Sequence, residues 1–240
     1  MTEAQVKQQI CQIGKRMYDS GFVAANDGNI SVKLSGNEIL TTPTGVSKGF
    51  MTPEMLVKVD MEGQVLEVAG EWRPSSELKM HLKVYQGRMD VQAVVHAHPP
   101  YATTFAVARM PLNKPLIAEA VVSLGCVPVT EYAAPSTKEV PDAVAGYLEH
   151  FDAVLLANHG ALAWGQDLLT AYHKLESVEF YAKLTFLSKQ LGEAQELTNT
   201  QVECLYEIRK KLALPGRHPG NCCKAECKVI CKRKEALLDD

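Results

Sequence analysis

The chain has 240 residues, of which 46% are apolar and 22% are charged, and its formal net charge is −3. This composition is typical of a globular protein, and the length fits one large domain or two small ones with a sizeable core. The weak negative charge gives no general attraction to nucleic acid or to an acidic membrane. No apolar run approaches the roughly 20 residues of a membrane span, and the polar N-terminal segment lacks the apolar stretch of a signal peptide. We therefore expect a cytoplasmic protein with no nucleic-acid or membrane partner.

The first half of the chain predicts one helix followed by short strands. Apolar residues three and four positions apart indicate a helix over residues 2–20, which Gly21 ends. A short turn rich in Ser, Gly and Asn separates two apolar runs and indicates a β-hairpin. The predicted strands of this half cover residues 30–34, 38–42, 56–60 and 64–68.

The second half alternates helices with strands. Two serines ahead of an amphipathic segment predict a Ser-capped helix over residues 75–88. Further helices are predicted at 99–108, 136–150, 167–192 and 199–212, and strands at 91–97, 126–130, 153–157 and 161–164. Because several strands are joined by tight turns, we expect an α/β fold with three layers, α/β/α, around a central mixed, largely antiparallel sheet. The sequence has no GxGxxG or P-loop pattern, the usual sign of a nucleotide-binding fold.

Two histidines with one residue between them stand at the end of an apolar strand, in QAVVHAHPPYA. Side chains two positions apart on a strand face the same side, so His96 and His98 present both imidazoles to one point. Pro99 and Pro100 end the strand directly afterwards and leave the pair at an accessible edge. The pair alone does not decide between a metal site and two polar residues on a solvent face.

A third histidine has the same setting. In AVLLANHGALAW an apolar strand ends in a polar triplet and turns at Gly160, so His159 is the natural third ligand. Three neutral imidazoles with an open fourth position are typical of a catalytic zinc site. Imidazole also suits cobalt, nickel and iron, whereas magnesium and calcium are disfavoured. We therefore predict one divalent metal ion per subunit, Zn²⁺ first, bound by His96, His98 and His159.

The motifs TTPTGVSKG, PSSELKMH, VVHAHPPYA and ANHGAL occur in this order, and together they resemble the class II aldolase/adducin family, most closely its L-fuculose-1-phosphate aldolase branch. The resemblance runs from about residue 5 to residue 212. It implies one Zn²⁺ held by the three histidines, a sugar phosphate as substrate and a homotetramer with sites at subunit interfaces. The implied reaction is reversible cleavage of a ketose 1-phosphate to dihydroxyacetone phosphate and an aldehyde. Candidate substrates are fuculose 1-phosphate, ribulose 1-phosphate and their 5-deoxy or 5-methylthio analogues.

The resemblance also implies a double role for one carboxylate. Glu77, in PSSE, matches the family carboxylate that ligates zinc in the resting enzyme and then acts as acid/base. A carboxylate displaced by the substrate is left beside it, where it is able to move a proton at carbon. Without the motif, the preferred interpretation of Glu77 is a carboxylate that only complements a helix dipole.

A phosphate group requires donors, and the sequence offers them without a basic cluster. Two serines stand ahead of a helix N-terminus, where their hydroxyls and the first free amides make an anion site. By resemblance, two other loops close this phosphate cradle. The residues predicted to hold the phosphate are Asn29, Thr44, Gly45, Ser75 and Ser76. Lys48 either adds a charge to this site or is a solvated loop lysine.

Two features leave the reaction open. Aldolases of this branch use a tyrosine of a neighbouring subunit as proton donor in the segment after the HxH helix, but here that segment has Glu119 and no tyrosine. A glutamate there is similar to the dehydratase of methionine salvage, so Glu119 is a second catalytic candidate and methylthioribulose-1-phosphate dehydratase an alternative function. Tyr132 is a further source of a phenol. Sugar-phosphate 4-epimerase, a weaker alternative, carries Asp where this chain has Glu77. The adducin-like members of the family, which have lost the metal ligands, are disfavoured because all three histidines are present. The alternative of another class is a non-catalytic, metal-stabilised interaction protein.

The end of the chain departs from the family pattern. We predict a catalytic domain over residues 1–213 and a basic, Cys-rich tail over residues 214–240. The cysteines of the tail are Cys222, Cys223, Cys227 and Cys231. Their spacing matches neither CxxC pairs nor the ferredoxin pattern. A basic tail that docks on a neighbouring subunit, a lid over the site, a second metal site and a disulfide all stay open.

Overall fold

A computed structural model describes residues 1–192 and 194–219 as one seven-stranded sheet with helices on both faces. The strands are β1 (Asn29–Lys33), β2 (Ile39–Thr41), β3 (Val57–Val59), β4 (Val65–Glu67), β5 (Ala93–Ala97), β6 (Ala153–Leu156) and β7 (Gly160–Gly165). The helices are α1 (Glu3–Asp19), α2 (Leu78–Gly87), α3 (Pro100–Val107), α4 (Ala118–Ser123), α5 (Glu139–Ala145), α6 (Leu168–Gln190) and α7 (Asn199–Lys211). Within these described ranges, no helix has the length and apolar character needed to cross a bilayer.

The sheet order is β4-β3-β2-β1-β5-β7-β6, and every pair of adjacent strands is antiparallel. The prediction of a three-layer α/β fold with a largely antiparallel sheet is confirmed. The predicted strand over residues 126–130 forms only isolated bridges, one of them the parallel bridge between Val129 and Leu155. Pro128 lies in the middle of this segment and has no amide hydrogen, so it interrupts a continuous ladder.

Alternating side chains of β5 divide the core between the two faces of the sheet. Ala93, Val95 and Ala97 pack in a cluster with α1, α3 and α6, whereas Val94 packs in a second cluster with α2 and α5. This division follows from the two-residue period of a strand. It places His96, in register with Val94, on the α2 face of the sheet.

The helix that follows the two serines begins later than predicted. It starts at Leu78, with Glu77 at the N-cap position and without a side-chain capping bond. Ser75 lies two positions before Glu77, where its hydroxyl accepts a hydrogen bond from the Glu77 amide at 3.3 Å. The prediction of a Ser-capped helix is therefore wrong: the serines belong to the loop, and the carboxylate of Glu77 stands at the helix start.

The chain after α7 returns to the body of the domain. Arg209 donates a hydrogen bond to the carbonyl of Pro215 at 3.2 Å, and the buried His218 has its Nε2 at 2.8 Å from the carbonyl of Val121. The first residues of the predicted tail thus pack on α4 and α7. The boundary after residue 213 stays a prediction, and the tail cysteines lie outside the described residues.

Candidate active site

The three predicted histidines meet at one edge of the sheet. His96 is on β5 directly opposite Asn29 of β1, and on the other side opposite Leu162 of β7. His98 follows two residues later on the same face, and His159 lies in the turn between β6 and β7. One ring nitrogen from each of the three histidines lies within 4.8 Å of the corresponding nitrogens of the other two. Among the described residues, this group is the candidate metal-binding cluster.

The outer nitrogens of two imidazoles are fixed by hydrogen bonds. His96 Nδ1 lies 2.9 Å from the carbonyl of Ala161, and His98 Nδ1 lies 3.3 Å from Asp27 Oδ2. Because a carbonyl and a carboxylate accept, both Nδ1 atoms carry the hydrogen and both Nε2 atoms present a lone pair. These two Nε2 atoms are 3.1 Å apart. Two facing lone pairs repel each other unless a cation lies between them, so the donor set fits a metal ion.

Glu77 lies beside the three imidazoles. Its Oε1 lies 3.0 Å from His159 Nε2 and its Oε2 lies 3.5 Å from His96 Nε2. Asn29 Nδ2 donates to Glu77 Oε2 at 3.0 Å and so holds the carboxylate from the side of β1. Since Glu77 points at the imidazoles rather than along α2, the interpretation as a simple helix-dipole carboxylate does not describe its position.

The ionisation states in the cluster suit metal ligands. Burial lowers the pKa of His96 well below its usual value, and burial together with the neighbouring His159 also lowers the pKa of His98. Both imidazoles are therefore neutral near pH 7, the form that binds a metal. Burial raises the pKa of Glu77, but the imidazoles, including the hydrogen bond from His159, outweigh burial and hold that pKa at about 2. The cluster thus offers three imidazoles and one carboxylate.

The loops of the predicted phosphate cradle come together beside this cluster. An isolated antiparallel bridge joins Pro43 to Pro74, and the Ser75 amide donates to the carbonyl of Thr42 at 3.2 Å. Asn29 Nδ2 reaches the Ser75 hydroxyl at 3.0 Å. The five predicted residues therefore lie on three joined segments: the start of β1 with Asn29, the loop with Thr44 and Gly45, and the loop with Ser75 and Ser76.

The cradle has donors that the fold leaves available. Thr44, Gly45 and Ser76 are exposed, and Gly45 has a φ of 74°, which turns the loop without a side chain in the way. The Oδ1 atom of Asn29 is buried and has no hydrogen-bond partner among the described residues. A buried acceptor of this kind favours a hydrogen-bond donor from water or from a ligand beside it.

Lys48 is not the solvated loop lysine that one interpretation predicted. It is 1% exposed, and its ammonium group donates to the carbonyls of Asn26 at 3.0 Å and Val46 at 2.5 Å. Burial lowers its pKa to about 8, against the raising effect of Asp27 and Glu77. Most of the Lys48 population is therefore charged at pH 7.

Glu119, the second catalytic candidate, lies elsewhere within the chain. It is exposed on the first turn of α4, where it lines a surface depression together with Glu176, Phe180 and Tyr181 of α6. The contacts of the described residues do not join it to the histidine cluster. Tyr132 is also exposed. The roles predicted for both side chains stay predictions, and for Glu119 they require the side chain to reach the site of another subunit.

Two groups of residues around the site escaped the sequence analysis. Asp27, which orients His98, stands in the loop before β1, and only the pairing of β1 with β5 brings it there. The sequence offered one signal for this role, an acidic residue two positions before Asn29. Below the site, the Ser31 hydroxyl lies 2.8 Å from both His81 Nδ1 and the Tyr85 hydroxyl. This buried contact ties β1 to the helix that carries Glu77.

The chain is similar to characterised proteins over most of its length. The family pattern described as the Class II Aldolase and Adducin N-terminal domain matches residues 8–186. A 5-deoxy-D-ribulose 1-phosphate aldolase of Bacillus thuringiensis serovar kurstaki is 36% identical over 202 residues, 83% of this chain and 92% of that protein. A 3-oxo-tetronate 4-phosphate decarboxylase of Haemophilus influenzae is 34% identical over 209 residues, 85% of this chain and 98% of that protein.

The fold comparison agrees. A solved structure of an L-fuculose 1-phosphate aldolase superposes with a TM-score of 0.80 at 37% identity, covering 88% of this chain and 98% of the other. The predicted resemblance and the prediction of an enzyme of the class II aldolase type are confirmed by these likenesses. The chain belongs to the class II aldolase and adducin N-terminal domain family.

Proposed function

We propose that this protein is a zinc-dependent aldolase that reversibly cleaves a ketose 1-phosphate to dihydroxyacetone phosphate and an aldehyde. The observation that carries the proposal is the convergence of His96, His98, His159 and Glu77 beside the loops of the predicted phosphate cradle. The 5-deoxy-D-ribulose 1-phosphate aldolase is among the most similar relatives, so a 5-deoxy ketose 1-phosphate is the first substrate to test.

The residues of the site have distinct tasks in this proposal. The three imidazoles would hold one Zn²⁺, and a bound divalent cation supplies Lewis-acid stabilisation of the negative charge that develops on the ketose oxygens. Cleavage breaks the bond between C3 and C4, removes the proton of the C4 hydroxyl and leaves an enediolate that must gain a proton at C3. In this proposal Glu77 takes up that proton and delivers it at C3. Asn29 keeps the carboxylate aimed at the reacting atoms.

The phosphate cradle fixes the other end of the substrate. The Ser75 hydroxyl, the hydroxyls of Thr44 and Ser76 and the amide of Gly45 would bind the phosphate oxygens. Binding energy from this group, which does not react, positions the carbon chain at Glu77. This division of tasks explains why the phosphate loops and the histidine edge are joined by direct contacts such as that of Asn29 with Ser75.

A second candidate reaction follows from the decarboxylase relative. Loss of carbon dioxide from a 3-oxo-tetronate 4-phosphate breaks the bond to C1 and leaves an enediolate, which gains a proton to give dihydroxyacetone phosphate. The two reactions therefore share the intermediate charge and the phosphorylated product. They differ in the leaving group, which is an aldehyde in one and carbon dioxide in the other.

The test must therefore measure all the products. Purified protein with its metal content determined is incubated with 5-deoxyribulose, ribulose and fuculose 1-phosphates, with 5-methylthioribulose 1-phosphate and with 3-oxo-tetronate 4-phosphate. We expect release of dihydroxyacetone phosphate with one equivalent of aldehyde. Release of carbon dioxide with dihydroxyacetone phosphate from 3-oxo-tetronate 4-phosphate, with no aldehyde from any ketose phosphate, would establish the decarboxylase. Loss of water from the methylthio substrate without carbon–carbon cleavage would establish the dehydratase. If no ketose phosphate reacts, the proposal fails.

Variants connect the activity to the cluster. His96→Ala should remove both the bound metal and the activity, whereas Asp19→Ala, on the exposed surface of α1, should leave both unchanged. Glu77→Gln should keep the fold and lower kcat, because the amide neither accepts nor delivers the proton. Zinc that remains at one equivalent in His96→Ala would contradict the proposed ligand set.

The remaining proposals concern assembly and location. We propose a homotetramer of cytoplasmic subunits, each a catalytic domain over residues 1–213 followed by the tail, in which Glu119 acts as the second acid/base in a neighbouring subunit's site. Light scattering coupled to gel filtration measures the mass, and cell fractionation measures the location. Mixing the inactive variants Glu77→Gln and Glu119→Gln tests the shared site: recovery of activity in mixed oligomers is expected. A fully active Glu119→Gln protein would refute the role of Glu119.

A further inference from the structure

Lys48 is a buried cation that contacts no carboxylate among the described residues. Its ammonium group is hydrogen-bonded to two backbone carbonyls, those of Asn26 and Val46, and its side chain is 1% exposed. Lysine is almost never fully buried, because the charge loses its hydration. A neutral side chain of the same length would avoid that loss, so the position of the charge calls for a physical explanation.

The two carbonyls belong to the two loops that carry the predicted phosphate residues. Asn26 is in the loop that leads through Asp27 to Asn29, and Val46 follows Thr44 and Gly45 directly. One ammonium group thus connects loops that are about 20 residues apart in the sequence. These loops have little other regular structure, so loss of this connection would let Gly45 and Asn29 move independently.

The packing around Lys48 keeps the ammonium group in this position. Gly14 of α1 packs against the base of Lys48: a Cβ atom at Gly14 would be 2.9 Å from the Lys48 carbonyl and 3.5 Å from its Cβ. Because the Lys48 side chain is buried and its ammonium group is hydrogen-bonded to the two loops, the ammonium group has almost no access to solvent. Lys48 therefore acts on a ligand through the loops and through its electric field, and not by direct contact.

The charge balance of the site makes this field relevant. The residues predicted to hold the phosphate are all neutral: Asn29, Thr44, Gly45, Ser75 and Ser76. The carboxylates of Asp27 and Glu77 lie close enough to Lys48 to interact with it electrostatically. A phosphate dianion that enters beside two carboxylates meets repulsion, and a positive charge in a poorly hydrated position offsets it more strongly than one in water.

We propose that Lys48 is the positioning residue for phosphate recognition: it ties the loops 24–28 and 43–47 together and supplies the positive charge that the cradle lacks, so that the ketose phosphate is preferred over the free ketose. This inference rests on the proposed function of the same site. It assigns substrate preference to a residue that the substrate does not touch.

The test uses two substrates and one simple ligand. The variants are Lys48→Met, which keeps the length and removes the charge, and Lys48→Gln, which keeps one amide donor without the charge. Lys15→Met is the matched control, since Lys15 is exposed on α1 and loses the same charge. For each zinc-loaded protein, calorimetry measures the affinity for inorganic phosphate, and steady-state kinetics compares a ketose 1-phosphate with the same ketose unphosphorylated.

We expect the phosphate affinity of Lys48→Met to fall by about tenfold or more, the size of one lost charge-assisted interaction. The KM for the ketose phosphate should rise by a similar factor with little change in kcat, and kcat/KM for the free ketose should not change. Lys48→Gln should fall between Lys48→Met and the wild type, and Lys15→Met should match the wild type.

Two results would overturn the inference. One is an unchanged affinity of Lys48→Met for phosphate, and the other is an equal loss of kcat/KM on both substrates, which would show a purely structural role. If Lys48→Met does not fold, the same comparison is made with Lys48→Gln. A wild-type protein that binds phosphate but cleaves no ketose phosphate would refute the proposed reaction, whereas the phosphate affinities would still decide the role of Lys48.

Discussion

Removal of the Asp27 carboxylate should weaken metal binding without removing a ligand. Asp27 Oδ2 is the acceptor for His98 Nδ1, at 3.3 Å, and no other hydrogen bond is recorded for that nitrogen among the described residues. The carboxylate fixes the tautomer that leaves the lone pair on Nε2, and it increases the basicity of the imidazole. In Asp27→Ala the ring is free to rotate or to place its hydrogen on Nε2, and both changes oppose binding.

The structure sets the size of the effect. Loss of an outer partner of a ligating histidine typically costs about 10- to 100-fold in metal affinity. We expect the lower end, about tenfold or about 1.4 kcal/mol, because the Asp27 side chain is 43% exposed and the contact is long. His96 keeps its partner in the variant, since the acceptor there is the backbone carbonyl of Ala161.

The assay is a competition for Zn²⁺ between the protein and a chelator of known affinity. Asp27→Asn, which retains an acceptor oxygen, should lie between the wild type and Asp27→Ala. Asp19→Ala is the control, because that exposed carboxylate pairs with Lys15 on α1. A wild-type affinity in Asp27→Ala would refute the argument that Asp27 orients His98. An affinity as low as that of His98→Ala would show instead that the whole loop had moved.

Three further predictions concern stability. Gly160→Ala should lower the free energy of unfolding by about 1–3 kcal/mol in a denaturant titration, because its methyl group would lie 2.5 Å from a backbone carbonyl at the end of β5. The control is Gly146→Ala, where the space is open and almost no effect is expected; equal stabilities of the two variants would contradict the steric argument. Burial lowers the pKa of His218 to about 4, so between pH 6.5 and 4 the His218 imidazole gains a proton in the unfolded chain but not in the folded one, and the free energy of unfolding should fall by up to about 3 kcal/mol. His218→Asn should show a shallower decline with falling pH; a decline identical to that of the wild type would rule out the contribution of His218. Glu179→Ala leaves the first amides of α3 without their acceptor and should cost about 1–2 kcal/mol, whereas Glu149→Ala, 84% exposed, should cost almost nothing.

Local periodicity was enough to predict the layers and to bring the three histidines to one place. His96 and His98 share a face because a strand has a two-residue period, and this holds whatever the strand pairs with. His159 could be predicted because its strand ends in the same way. The order of four motifs then indicated the family, and with it the carboxylate of Glu77 and the phosphate loops, which the spacing of those residues alone could not assign.

The tertiary structure decided which distant residues support that cluster. Asp27 reaches His98, and Asn29 reaches Glu77, only because β1 pairs with β5 in a register that sets Asn29 opposite His96. Strand register between segments more than 60 residues apart depends on the packing of the whole sheet, and no local pattern encodes it. Lys48 illustrates the same limit, since a lysine in a Gly- and Ser-containing loop suggests exposure until α1 covers it. The sequence alone therefore determined the chemistry that meets at the sheet edge, and the packing of the sheet and α1 determined how those groups are oriented and charged.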